Sequence, residues 1–321
     1  MLLYIGKRLL QMIPILLVVA ILVFSLMSFV PGDPVQIMLG PIATDLQIEE
    51  VRTQLGLNDP FFVRMLNFLG GLLRLDFGQS YQTRMPAGAE LMARFPYTLI
   101  LSLCCVFCSV LIGVPIGIQC ALRANKLTDR IWMFITMLGS SMPGFWLSLL
   151  LMLLFALKLK WLPSNGIGGP EYFILPVLSN SITHLANFAR QTRSSMLEVI
   201  RSDFVSTAKS KGLSERDVIW KHALPNALIP IITIIGARMG FMLGGSTIME
   251  TIFSIPGLGS YLMNGINNRD YPVVQGCIIY IAFIFSIIML VTDLVYAFVD
   301  PRIKAQYYRP KQKKKLAASE S

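Results

Sequence analysis

Apolar runs dominate this chain, in lengths that only a bilayer requires. Residues 9–30, 97–122, 131–157, 228–249 and 273–299 are long hydrophobic stretches. A helix needs about 20 such residues to cross a hydrocarbon core of about 30 Å, so each stretch predicts a span. Residues 173–188 are weaker, because Asn180, Ser181, Thr183, His184 and Asn187 dilute the apolar signal. Charge resolves that segment. Lys7 and Arg8 precede the first span, and the tail 302–315 is rich in Lys and Arg. Basic flanks stay on the cytoplasmic side, so both ends belong there and the number of crossings is even. Residues 173–188 are therefore predicted to cross, with their polar face turned into the bundle. The fold class that follows is an all-α integral membrane protein of about six transmembrane helices.

The breaks between runs set the organisation. Residues 1–30 read as an uncleaved signal-anchor span, with no convincing small-residue cleavage site. Pro31-Gly32-Asp33-Pro34 ends that span. Residues 31–95 predict a small extracytoplasmic cap with helical patterns near 46–55 and 60–73. Residues 96–300 form the membrane core, and 301–321 a basic cytoplasmic tail that anchors topology near anionic lipid. Within the third span, Ser140-Ser141-Met142-Pro143-Gly144 is expected to kink or break the helix near mid-membrane. Backbone freed by such a break is buried in protein or faces a wet cavity. That places Ser141 and Pro143 on a possible transport path, with a packed structural kink as the plainer alternative.

The longest polar interruption, residues 195–226, is the most informative stretch. Met196, Leu197, Val199, Ile200, Phe204, Val205 and Ala208 fall at helical spacing and predict one amphipathic helix. Gly212 ends it, since glycine accepts the left-handed geometry of a helix C-terminus. Ser214 with Asp217 reads as the start of a second helix. That helix is expected to carry Val218, Ile219 and Trp220 outward and to stop at Pro225. Two readings stand: an amphipathic linker lying on the lipid surface, or a folded corner on which another protein docks.

Composition agrees with the membrane assignment. The 321 residues are 54% hydrophobic and 14% charged, against about 25% charged in soluble domains. The net charge of +10 follows the topology rather than a nucleic-acid surface. Cys104, Cys105, Cys108, Cys120 and Cys277 all lie in apolar stretches and form no secreted disulfide framework. Cys104 and Cys108 share a helical face, and packing explains them better than soft-metal ligation. No phosphate-cradling G-x-x-x-x-G-K-[ST], H-E-x-x-H, paired C-x-x-C or nucleophile elbow occurs. The chain is therefore expected not to be an enzyme, and ATP, if it drives the process, is hydrolysed by another chain.

Arg238 is the charge that most needs an account. It falls near the middle of the fifth apolar run, where a guanidinium costs at least about 2.5–3.5 kcal/mol. One reading has it facing a cavity and attracting a cargo carboxylate. The other pairs it with Asp293 or with carbonyls of a partner subunit. His184, on the polar face of residues 173–188, likewise either meets cargo or bonds a neighbouring helix.

Several phrases taken together carry a resemblance. They are Ala208 with Gly212 and Leu224-Pro225; Leu55-Gly56-Leu57 with Asp59-Pro60; Asp76-Phe77-Gly78 with Ser80; Phe253 with Pro256-Gly257-Leu258-Gly259; Asn268-Arg269-Asp270-Tyr271-Pro272-Val273; and Asp300-Pro301-Arg302. The ensemble resembles the permease subunits of ATP-binding-cassette importers, closest to their dipeptide, oligopeptide and nickel branch. Ser206 and Thr207 replace the Glu and first Ala of that family's loop motif. The resemblance implies that Ser206, Thr207, Ala208, Gly212, Leu213, Leu224 and Pro225 form a coupling loop that inserts into an ATPase subunit. It also implies a second homologous permease, two ATPase subunits and an extracytoplasmic substrate-binding protein. It implies a bacterial inner-membrane location and no cofactor on this chain, with ATP and magnesium on the ATPases. Peptides, glutathione, nickel and metal chelates are the implied cargo range. A stand-alone secondary transporter would instead show inverted repeats and intramembrane carboxylate pairs. An intramembrane enzyme would show a catalytic pair. Neither pattern is visible.

Overall fold

A computed structural model describes residues 2–299; the basic tail and Asp300-Pro301-Arg302 lie outside the described residues. The described residues contain helices and no named strand. Among the described residues four helices are long and apolar enough to cross a membrane, and a bent pair counts as a fifth if it forms one broken span. α1 (Leu2–Phe29) is followed by three short helices, α2 (Pro34–Leu39), α3 (Asp45–Gln54) and α4 (Phe61–Leu73). α3 and α4 occupy the two stretches whose patterns predicted helices. α3 starts with a capping box: Thr44 Oγ1 accepts from Gln47 N–H, and Gln47 Oε1 accepts from Thr44 N–H. α4 is tied to α1 by aromatic contacts, with the Phe61 and Phe68 rings 5.5 and 5.3 Å from Phe24.

α5 (Ala87–Leu122) begins ahead of the expected Tyr97 and extends above the apolar run. The third span is broken as expected. α6 (Leu127–Ser141) and α7 (Gly144–Leu151), which continues as a π-helical turn to Lys158, meet at 94°. Pro143 is the N-cap residue of α7, and Ser141 at the end of α6 folds its hydroxyl back onto Met137 O.

α8 (Ile174–Ile200) is the helix whose composition concealed it. It has 27 residues, about 40 Å of helix, but its polar content keeps it outside the helices apolar enough to cross. Those number four or five among the described residues, where about six were expected. Of the polar residues that dilute its signal, Ser181 and His184 are buried while Asn180, Thr183 and Asn187 are half-buried; Ser179, Thr192 and Ser195 are buried as well. α8 packs most extensively on α5, and also contacts α6, α7, α11 and α12. Close approach to α5 is set at Gly117, where a Cβ would lie 2.5 Å from both Ala189 O and Thr192 Cβ. Small residues at membrane helix contacts allow this backbone proximity. Arg193 of α8 grips Asp129 of α6 through two bonds of 2.7 Å, and Asn125 N–H adds a third to the same carboxylate.

α9 (Asp203–Ser210) and α10 (Glu215–Asp217) lead through a π-helical turn (Val218–Ala223) into α11 (Leu224–Gly245). α12 (Thr247–Ile252), α13 (Leu258–Asn267) and α14 (Tyr271–Val299) complete the order. The main core, including Leu101, Cys105, Leu175, Met242 and Phe253, lies where α5, α8, α11 and α12 meet.

The cap is fastened to the far end of the chain. Ser80 Oγ donates to Asp270 Oδ2 at 2.5 Å, and Gln82 N–H donates to the same oxygen. Ser80 and Asp270 are both 2% exposed. The sequence phrases around residues 76–80 and 268–273 are therefore two halves of one contact. Ser80→Ala removes a charge-assisted bond worth about 1.5–3 kcal/mol. Limited proteolysis of membranes is expected to cut the turn at 81–85 faster in that variant. An unchanged cleavage rate would show that the seam does not hold the cap.

Candidate functional site

The polar interruption folds into a compact corner. α8 ends at Ile200, so the single helix expected from Met196 through Ala208 is divided. Arg201 and Ser202 break it, and α9 starts afresh at Asp203. Met196, Val205, Ala208, Val218, Ala223 and Ala227 then close on Ala121 of α5 as a buried cluster. Ala208 is small because it lies inside that cluster, 6% exposed. Gly212 has φ +78°, the left-handed conformation that favours glycine, and a Cβ there would meet nothing within 4 Å. Ser214 caps α10 by accepting from Asp217 N–H and donating to Asp217 Oδ2.

Two expectations are corrected. Val218 does not point outward: it is 1% exposed, inside the cluster, while Trp220 is 57% exposed. Nor does Pro225 stop the helix. The chain stays helical from Glu215 to Gly244, and Pro225 sits in the first turn of α11. The π-helical turn before it widens the ladder and absorbs the amide bond a proline cannot make. Asn226 Nδ2 donates back to the His222 carbonyl at 2.7 Å.

The outer surface of the corner is open. Ser206, Thr207, Lys209, Lys211, Gly212 and Leu213 are exposed, and Leu224 is half-buried. Thr207 Oγ1 is spent on its own helix, donating to Asp203 O. Phe204, Leu213 and Trp220 present apolar side chains 47%, 42% and 57% exposed. The corner is thus fixed from beneath and presents Phe204, Leu213 and Trp220 among exposed polar and charged side chains.

The mid-membrane candidates lie on α8 and α11. His184 is 8% exposed, and its Nδ1 has no hydrogen-bond partner. Arg238 lies on α11, which packs against α8. The α6–α7 break abuts the same turn of α8, with a Cβ on Gly144 reaching within 3.9 Å of Thr183 Oγ1. Asp293 is not the partner of Arg238; it pairs with Arg8 at 3.1 Å.

Sequence reasoning missed two buried carboxylates, Asp129 of α6 and Glu250 of α12. Glu250 of α12 is fully buried. Its Oε1 accepts from Thr98 Oγ1 and Ser246 Oγ at 2.8 Å, and its Oε2 from Ser260 N–H at 3.0 Å. Thr98 also receives Leu258 N–H at 2.8 Å. The Pro256-Gly257-Leu258-Gly259 phrase is folded around this side chain. An acidic residue closing an apolar run, followed at once by a glycine-rich turn, was the available signal.

The chain matches the family described as the binding-protein-dependent transport system inner membrane component over residues 113–305. It matches that family's N-terminal region over residues 1–102. It is 41% identical over 304 residues to the glutathione transport system permease protein GsiC of Salmonella choleraesuis, covering 95% of this chain and 99% of that one. It is 39% identical over 332 residues to the dipeptide transport system permease protein DppB of Alkalihalophilus pseudofirmus, covering 95% and 100%. Among solved structures it is similar to a chain of the inward-facing MetNI methionine ABC transporter. There the TM-score is 0.56 and the identity 17%, over 65% of this chain and 96% of that one.

Proposed function

The chain belongs to the family of inner-membrane components of binding-protein-dependent transport systems, and from that premise we propose that it imports short peptides of the dipeptide or glutathione class. In this reading it is one of two similar permease subunits, with ATPase subunits beneath and a substrate-binding protein delivering cargo outside. Both termini lie on the cytoplasmic side. ATP and magnesium bind the ATPases, and no cofactor resides on this chain.

One observation carries the mechanism. The corner at 203–224 is packed rigidly onto α5 and α8 while holding Phe204, Leu213 and Trp220 out of its own core. A motor biases a conformational equilibrium only through contacts that differ between states. A knob of this kind transmits motion because its base is buried and continuous with α11. Ser206, Thr207, Ala208, Gly212, Leu213, Leu224 and Pro225 shape it, though Ala208 does so from inside. The relatives' printed cargoes, glutathione and dipeptides, support the peptide class.

Leu213→Asp tests this reading. Leu213 is 42% exposed and lies outside the buried cluster of the corner, so membrane insertion and yield are expected to match the unsubstituted chain. Copurification of the ATPase subunits and ATP-dependent peptide uptake are expected to fall at least about tenfold, as removal of an apolar interface anchor does. Undiminished uptake and copurification would sink the docking role.

A further inference from the structure

Arg238 and His184 are two polar groups inside the membrane without partners. Among the described residues Arg238 forms no hydrogen bond and no ion pair, and Asp293, one of the alternative partners considered for it, is held by Arg8. His184 is over nine-tenths buried with an orphaned Nδ1. Buried polar groups are almost always satisfied, so an orphan calls for a missing partner.

The surroundings indicate its chemistry. Thr183, Asn187, Arg190 and Ser194 recur at i, i+4, i+7 and i+11, one face of α8, and each is half-buried or exposed. Polar side chains on a spanning helix face protein or water rather than lipid. Arg190 donates to Asn187 Oδ1 at 3.0 Å and forms no ion pair among the described residues. The nearby acid on α6, Asp129, is fully engaged by Arg193. This strip therefore carries the Arg190 guanidinium and no carboxylate, and α11, which carries Arg238, packs against α8. The broken corner of the third span lies against it at Thr183.

We infer that Arg238, supported by His184, forms a carboxylate-recognition station within the membrane, engaged by the C-terminal carboxylate of a short peptide in transit. Arg238 supplies a charge-matched fork of N–H donors. His184 donates from the ring nitrogen that carries its proton. Arg190, further along the strip, extends the positive potential along the path. The inference rests on the peptide-import reading.

The test uses the whole transporter in proteoliposomes with its ATPases and binding protein. Alanyl-alanine and its C-terminal amide are each supplied at saturating concentration. The unsubstituted complex is expected to move the free acid at least about tenfold faster than the amide, the size of one lost charge-assisted contact. Arg238→Gln is expected to bring the acid down to the amide's rate, with complex recovery and cargo-free ATP hydrolysis unchanged. Arg238→Lys is expected to restore part of the difference. An acid preference that survives Arg238→Gln would overturn the inference, as would equal rates in the unsubstituted complex. Failure of Arg238→Gln to assemble would do the same, since the guanidinium would then serve the subunit contact. If the unsubstituted complex moves neither compound, the peptide reading itself falls and this one with it.

Discussion

Gly117→Leu is expected to leave almost no assembled protein in the membrane. The first atom of the new side chain would sit 2.5 Å from the Ala189 carbonyl oxygen and 2.5 Å from Thr192 Cβ. The nearest obstacle is backbone of a long helix, which cannot rotate away as a side-chain tip can. Overpacking a core costs about 1–3 kcal/mol where neighbours can shift, and here they cannot, so a larger loss follows. Gly117→Ala places only the first atom there and is expected to fall between. The measurement is the amount of monodisperse protein after detergent extraction, with its thermal midpoint. Wild-type recovery of the leucine variant would mean that α5 and α8 do not meet at this distance.

The second large effect is expected at Glu250. Glu250→Ala removes the acceptor shared by Thr98, Ser246 and the Ser260 amide. Two buried hydroxyls and a half-buried amide lose their partner and a cavity opens among them. Each unsatisfied group costs about 1–3 kcal/mol, so a total loss of roughly 3 kcal/mol or more is expected. Glu250→Gln keeps shape and one carbonyl acceptor and is expected to cost about half as much. The site joins α5, α12 and α13, so protease sensitivity is expected to rise first at 254–260. Equal thermal midpoints for all three proteins would show that the carboxylate does not organise this turn.

Local pattern and long-range pairing differ in how far they could be read from the chain. The spans, the break at Pro143, the capped corner at Ser214 and the left-handed Gly212 each follow from a few adjacent residues. α8 was expected from topology despite its polar content; a helix is there, and of the five polar residues that diluted its signal Ser181 and His184 are buried. At Pro225 the polar corner departs from the expected helix stop. Local rules assign a proline in mid-pattern to a helix stop, and nothing in the sequence announces the π-helical turn that rescues it. Val218 was placed outward for the same reason, since the wider turn rotates the residues around it. The Asp129–Arg193 grip, the Ser80–Asp270 seam and the Glu250 network join positions far apart in sequence. Periodicity carries no information about such pairs; only the packed helices bring them together.

The unbroken run from Glu215 to Gly244 gives this protein a lever. Its 30 residues span about 45 Å, with the outer surface of the corner at one end and Arg238 well along its length. Over that length, a tilt of about 5° at the base carries the opposite tip roughly 4 Å. A small displacement imposed from the aqueous side would thus arrive at the bilayer's interior magnified, and the π-helical turn at 218–223 is the natural fulcrum.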